Sequence, residues 1–278
     1  MFEPPVNRTP LPRITRRQDP VVTRCRDIAS RAVDDDSVLL DGPHLVLDAL
    51  RASVPVDLVL VTTALLDTPS AEMREVLRLA GEAGVEVLEG TTGVLDAASP
   101  VRTPSGVVAI ARWTPVPLEG LWAPSPALVV GLVDVQDPGN AGAAVRSADG
   151  LGATGIVMIG ATADPASPKA LRGAMGSSFR VPVARGSLAK TLAAARSAGV
   201  QIAATTSPAS GTVDLHAADL TGPVLVLFGN EGAGLPAPLV AGADVRLSIA
   251  MRPGVNSFNV AVTTALVLYE ARLQRSAR

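Results

Sequence analysis

The sequence predicts an α/β protein: a C-terminal, doubly wound parallel sheet preceded by a smaller α/β domain. Three observations carry that prediction. Leu128 to Val135 is an apolar run with Asp134 its one polar member, ended by a loop, as expected of a parallel strand buried on both faces. After it, helical and strand patterns alternate with short connections, the signature of βαβ units. Before it, Pro115, Pro117, Pro124 and Pro126 surround Gly120, so residues 113–126 are expected as a linker between domains at 21–112 and 127–278.

Residues 1–20 hold five prolines (Pro4, Pro5, Pro10, Pro12, Pro20) and no apolar period, and are expected as an arm without regular structure. Periodicity then predicts a helix over 21–33, a strand at 37–40, a helix at 43–51 with apolar Leu45, Leu47, Ala49 and Leu50, and a strand at 58–62. The next helix, 70–83, is opened by Ser70, carries Glu72 and Glu75 near its start and stops at Gly84. Strands at 85–88 and 106–111 complete the first domain. In the second, the strand at 128–135 is followed by a helix at 141–151, a strand at 155–159 and a helix opened by Ser167 with Pro168 at its first position. An alanine-rich helix at 187–197 stops at Gly199; strands at 200–205, 223–228 and 245–249 and a long helix at 258–274 end the chain. Sheets of this kind place their sites at the C-terminal ends of the strands.

A chain of 278 residues, 47% hydrophobic and 18% charged, buries a large core, which excludes disorder as its general state. No run approaches the roughly 18 apolar residues of a membrane span, and the Arg- and Pro-dotted start is unlike a signal peptide, so a cytoplasmic protein without a membrane partner is expected. One cysteine, Cys25, forbids an intramolecular disulfide; with only His44 and His216 beside it, no Cys/His metal cluster is expected. Net charge is −2, which argues against nonspecific coating of nucleic acid, but the distribution is uneven. Residues 1–31 carry seven arginines (Arg8, Arg13, Arg16, Arg17, Arg24, Arg26, Arg31) against Glu3, Asp19 and Asp27, whereas 32–115 carry five arginines against thirteen acids. The leading segment is therefore either an RNA-contacting arm or a solvated tail.

Three loops, each after a predicted strand, hold polar residues that packing alone would not select. The first, Asp137-Pro-Gly-Asn140-Ala-Gly142, continues to Arg146; its glycines admit close backbone approach and Arg146 projects from the next helix, as at an anion site. A capped turn with a surface arginine is the plain alternative. The second, Gly229-Asn230-Glu231-Gly232-Ala-Gly234, exposes its backbone to a ligand, but its glycine order is not the dinucleotide fingerprint. The third, Met251-Arg-Pro-Gly-Val-Asn256-Ser257-Phe-Asn259, puts three polar side chains where one suffices as a helix cap. A shared pocket on one sheet edge accounts for all three loops. Without a Gly-x-Ser-x-Gly turn, a Ser/His/Asp hydrolase has little support.

Taken together, the ordered loops resemble the SpoU (TrmH-type) family of the SPOUT methyltransferases over residues 21–278. The resemblance implies a C-terminal parallel-sheet SPOUT domain with a trefoil knot at the chain end, an N-terminal α/β RNA-binding domain similar to a ribosomal-protein fold, and a homodimer. It further implies S-adenosylmethionine as donor for 2′-O-methylation of RNA ribose, with ribosomal RNA favoured over tRNA because of the extra domain. Matched position by position, Asn140, Arg146, Glu231, Ser257 and Asn259 are the catalytic candidates. Thr205, Leu227, Gly229, Ile249, Met251 and Phe258 are the cofactor-binding candidates. Three departures bear on the third loop: Ala250 replaces a usual proline, Pro253-Gly254 replaces a single glycine one position earlier, and Phe258 replaces leucine.

Arg146 is the family's usual candidate for activating the hydroxyl, yet a guanidinium with a pKa above about 12 rarely releases a proton. A clamp on the neighbouring phosphate and the developing alkoxide is the role expected of it. Asn140, Ser257 and Asn259 are expected to orient hydroxyl and cofactor, and Glu231 to hold Arg146 or accept a proton. A catalytically silent RNA-binding protein of the same fold is the rival, and it would be expected to lack the polar side chains kept here.

Overall fold

The computed structural model describes residues 10–33, 35–255 and 257–277, and the chain divides into two units, Met1–Trp113 and Thr114–Arg278. The first contains β1 (Arg13–Ile14), α1 (Pro20–Ala29), β2 (Ser37–Asp41), α2 (Pro43–Arg51), β3 (Val56–Thr62), α3 (Thr63–Asp67), α4 (Ala71–Glu82), β4 (Glu86–Gly90), α5 (Thr92–Ala98) and β5 (Val107–Arg112). Its strands are ordered β1-β4-β3-β5-β2, with β5 antiparallel to both neighbours. Val22, Cys25 and Ile28 of α1 pack on Leu39, Leu60 and Ile110 of the sheet. Burial pushes the Cys25 thiol up to about 12, so it behaves as a small hydrophobe.

The arm differs from its expectation. Arg13–Ile14 pairs in parallel with Glu89 and Gly90 at the sheet edge, Ile14 is buried, and Asp19 caps α1 by accepting from the Val21 N–H. Two residues are too short to show a period, and the flanking Pro12 is tolerated because an edge strand needs no donor there. Residues 1–9, including Arg8, lie outside the described residues. Helix α1 ends at Ala29 rather than 33. Helices α3 and α5, five and seven residues long, went unread because a single turn or two holds too few apolar repeats to register.

The second unit contains β6 (Leu128–Val133), α6 (Pro138–Leu151), β7 (Gly155–Ile159), α7 (Pro168–Ala174), β8 (Val183–Gly186), α8 (Leu188–Ser197), β9 (Gln201–Thr205), β10 (Val213–Asp214), β11 (Val224–Phe228), α9 (Ala237–Ala241), β12 (Val245–Ser248) and α10 (Val260–Ser276). All seven strands run parallel in the order β10-β12-β9-β11-β6-β7-β8. Strand order reverses between β6 and β11, the switch point at which such sheets bind ligands. The missed strands β8 and β10 are the short outer ones. Residues 113–126 are no free tether: Leu118–Trp122 forms a 3₁₀ turn with Leu121 fully buried, and Val116 bridges to Ala184 of β8. Helices α6 and α7 meet at Gly142, where any Cβ would strike the Ala170 carbonyl.

Candidate active site

Each of the three loops emerges from a C-terminal strand end, the first two from β6 and β11 on either side of the switch point and the third from β12, two strands beyond β11. In the first, Asp137 caps α6 by accepting from the Asn140 N–H at 2.9 Å, and Lys169 pairs with its other oxygen at 2.5 Å. Lys169 first, and the Asn140 N–H second, hold the Asp137 carboxyl below its usual range. That fixes the turn from which Asn140 projects.

The Asn140 side chain joins the other two loops. Its Nδ2 donates to Glu231 Oε1 at 2.7 Å, and its Oδ1 accepts from Asn259 Nδ2 at 3.0 Å. The direction of this chain is set at its far end. Asn259 caps α10, so its Oδ1 must face the Ala261 and Val262 N–H groups, at 2.9 and 3.4 Å. Its Nδ2 is then left for Asn140 Oδ1, which turns the Asn140 Nδ2 towards the carboxylate. Glu231 is thus tied to Asn140; of the two roles expected of it, holding Arg146 or accepting a proton, the first has no contact among the described residues.

Arg146 lies six residues beyond Asn140 on α6, exposed, with no hydrogen bond or ion pair among the described residues. It is a cation available to something outside the chain. Ser257 is also exposed. Asn256 lies outside the described residues.

Behind the polar chain is a cavity of about 340 Å³. One wall is the second loop, Gly229 to Leu235; the other is the third-loop segment with Ile249, Met251, Ser257 and Phe258. Thr205, Thr206 and Ser207 bring hydroxyls from the end of β9, and Phe228, Leu247 and Val260 an apolar floor. Gly229 is required by the loop's own closure, because a Cβ there would strike the backbone of Gly234 and Leu235. Five cofactor candidates, Thr205, Gly229, Ile249, Met251 and Phe258, line the cavity, as do Glu231 and Ser257. Leu227 does not: its side chain is fully buried in the core behind the sheet, and its carbonyl accepts from the Thr205 hydroxyl at 2.8 Å. Asn140, Arg146 and Asn259 are likewise outside the cavity lining.

Sequence reasoning left Asn230 without a role. Its Oδ1 accepts from the Gly232 and Ala233 N–H groups at 2.8 and 3.1 Å, forming the turn, and its Nδ2 donates to the Asp134 carbonyl at 2.9 Å. The available signal was an asparagine followed two residues later by glycine, the composition of a side-chain-closed turn. Val267 and Thr263 of α10 also line the cavity; a helix face gives no local sign of that.

Residues 127–269 match the SpoU rRNA methylase family. Over 268 residues the chain is 33% identical to an uncharacterized tRNA/rRNA methyltransferase of Synechocystis, covering 94% of each. It is 31% identical to the 23S rRNA (guanosine(2553)-2'-O)-methyltransferase of Bacillus subtilis, over 85% of this chain and 89% of that one. The AdoMet-bound crystal structure of an rRNA methyltransferase from Sinorhizobium meliloti superposes with a TM-score of 0.81 at 31% identity, covering 95% of this chain and 98% of the other.

Proposed function

From the membership of this chain in the SpoU rRNA methylase family, we propose how its residues divide the work of methylating RNA. The protein is an S-adenosylmethionine-dependent RNA methyltransferase that acts on a ribose 2′-hydroxyl, ribosomal RNA being the favoured substrate. The observation that carries the reading is a mixed cavity at the C-terminal ends of β9, β11 and β12 with the Glu231–Asn140–Asn259 chain at its edge.

The donor set fits the cofactor. Hydroxyls of Thr206 and Ser207 and the backbone of 229–235 suit a nucleoside and an amino-acid tail, while Phe228, Leu247, Ile249 and Met251 suit an adenine face. When bound, S-adenosylmethionine supplies a methyl group activated on a sulfonium. Gly229, Ile249, Met251, Phe258 and Thr205 would hold it; Leu227 would contribute through its strand alone. Glu231 keeps one carboxylate oxygen on Asn140, and its other oxygen, with no bond among the described residues, is the acceptor for the ribose proton. Arg146 clamps the phosphate beside the target ribose and stabilises the developing alkoxide. Ser257 orients the hydroxyl, and Asn140 and Asn259 set the carboxylate's direction. No step assigned to these side chains asks for a metal.

The working form is a homodimer, because Val262, Leu266, Tyr269 and Leu273 leave one stripe of α10 exposed, Tyr269 by 54%. The knot is supported by the chain's route: β12 lies between β9 and β10, and the segment after it returns past the second loop so that α10 packs on α6. The first unit acts as the RNA-binding domain; the Synechocystis relative matches along both units, which supports a joint role.

The test is transfer of a radiolabelled methyl group to ribosomal RNA and tRNA in parallel, with the labelled nucleotide mapped. Ribose label in ribosomal RNA is expected. Label in tRNA alone would reassign the substrate, label on a base would overturn the reaction, and no label despite cofactor binding would favour the silent RNA-binding protein.

A further inference from the structure

We propose that Asn230 is a positioning residue that sets the Glu231–Asn140–Asn259 chain by continuing the β6–β11 pairing beyond the ends of both strands; this rests on the methyl-transfer reading above. The last register pair of the two strands is Phe228 opposite Leu132. Two residues further along each chain stand Asn230 and Asp134, so the Asn230 amide reaches the Asp134 carbonyl where a ladder bond would have been. Regular pairing has ended there because Asp134 is left-handed, at φ 55°. Asp134 is itself held on the far side: its N–H donates to the Ile159 carbonyl at 3.1 Å and its Oδ1 accepts from the Ala161 N–H at 2.7 Å. One carbonyl, braced by the end of β7, therefore receives one amide from the end of β11.

The position of this brace gives it consequence. Asn230 immediately precedes Glu231, and Asp134 leads within three residues to Asp137, the cap from which Asn140 projects. The Asn230–Asp134 bond thus fixes the separation of two loops whose side chains must meet at 2.7 Å. Its amide orientation is imposed, since the Gly232 and Ala233 N–H groups demand the oxygen and leave the nitrogen for Asp134. A merely local role, closing the turn of the cofactor loop, needs the oxygen alone.

Asn230→Asp separates the two roles. It keeps an acceptor for the turn but replaces the donor with an oxygen facing the Asp134 carbonyl. Wild type, N230D, N140A and the double variant are compared by calorimetric titration with S-adenosylmethionine, single-turnover transfer to ribosomal RNA and thermal melting. Because Asn230 itself lines the cofactor cavity, some loss of affinity accompanies the change, but N230D is expected to lose at least about tenfold in the single-turnover rate at saturating cofactor and distinctly less in cofactor affinity. The double variant should be no slower than N140A, since the amide acts through Asn140's partner. Cofactor affinity falling as far as the rate, or losses that multiply in the double variant, would overturn the proposal. If the carboxylate unfolds the loop, Asn230→Ser serves with the same outcomes. Wild type that binds cofactor and methylates no RNA defeats the functional reading instead; the brace is then judged from the side-chain amide resonances of Asn140, which must shift in N230D and whose constancy would overturn it.

Discussion

Asn140 and Glu231, 91 positions apart in the chain, meet amide nitrogen to carboxylate oxygen at 2.7 Å. The contact joins the loops after β6 and β11, neighbours across the switch point. Glu231→Gln keeps an acceptor for the Asn140 amide but removes the charge. It is expected to retain cofactor affinity and lose at least about a hundredfold in the rate of methyl transfer, the scale for a general base. Single-turnover rates across pH decide this, and a wild-type rate in E231Q would leave Glu231 a purely geometric part.

Much of this site was legible because its signals are local. The apolar run at Leu128 predicted the central strand, and the glycines of 229–234 predicted an open loop. What was not legible depends on partners far along the chain. Nothing near Glu231 indicates that its partner is Asn140, and Leu227, adjacent in sequence to the cofactor loop, proved to point into the core because strand alternation, not loop chemistry, governs it. Arg13–Ile14 escaped reading for the same reason: a two-residue edge strand exists only by virtue of Glu89 and Gly90.

Arg146, exposed and without a protein partner among the described residues, is expected to act on RNA and not on cofactor. Arg146→Ala should leave S-adenosylmethionine affinity within about twofold while methyl incorporation falls about a hundredfold or more, as for loss of one preorganised charge stabiliser. Arg146→Lys should recover little, because a point charge does not reproduce the guanidinium's forked geometry. Wild-type turnover in R146A would remove it from the mechanism.

Gly229 bears on the cofactor instead. A methyl group there collides with the backbone of Gly234 and Leu235, so the loop must open. For Gly229→Ala, with overpacking of about 1–3 kcal/mol concentrated in one loop, cofactor affinity should drop about tenfold or more while the melting temperature moves only a few degrees. Unchanged affinity by calorimetry would show that this loop is not the cofactor wall.

The exposed stripe of α10 predicts the assembly state. Leu266 and Tyr269 are 40% and 54% exposed, and placing Glu and Asp at them puts two charges into an apolar contact. Light scattering should find a dimer for wild type and a monomer for L266E/Y269D, with transfer activity lost alongside if the site lies near the interface. A monomeric wild type would refute the dimer.

The arginine-rich leader is the last feature with a testable consequence. Of its described arginines, Arg13 and Arg24 pair with Glu89 and Asp57, and Arg26 and Arg31 donate to the Ala97 and Ser37 carbonyls. Arg16 and Arg17 alone among them are exposed with side chains bonded to nothing described. Deleting residues 1–20 would also remove β1 and the Asp19 cap of α1, so loss of RNA binding in that truncation would say little about charge. Replacing Arg16 and Arg17 with serine removes two cations and leaves the strand. If both meet phosphates, the slope of log affinity for duplex ribosomal RNA against log salt should flatten by up to about 2, roughly 0.9 per contact. Cofactor affinity should be untouched. An unchanged slope would make the leader a structural edge of the first unit and move the search for its RNA contacts elsewhere on that unit.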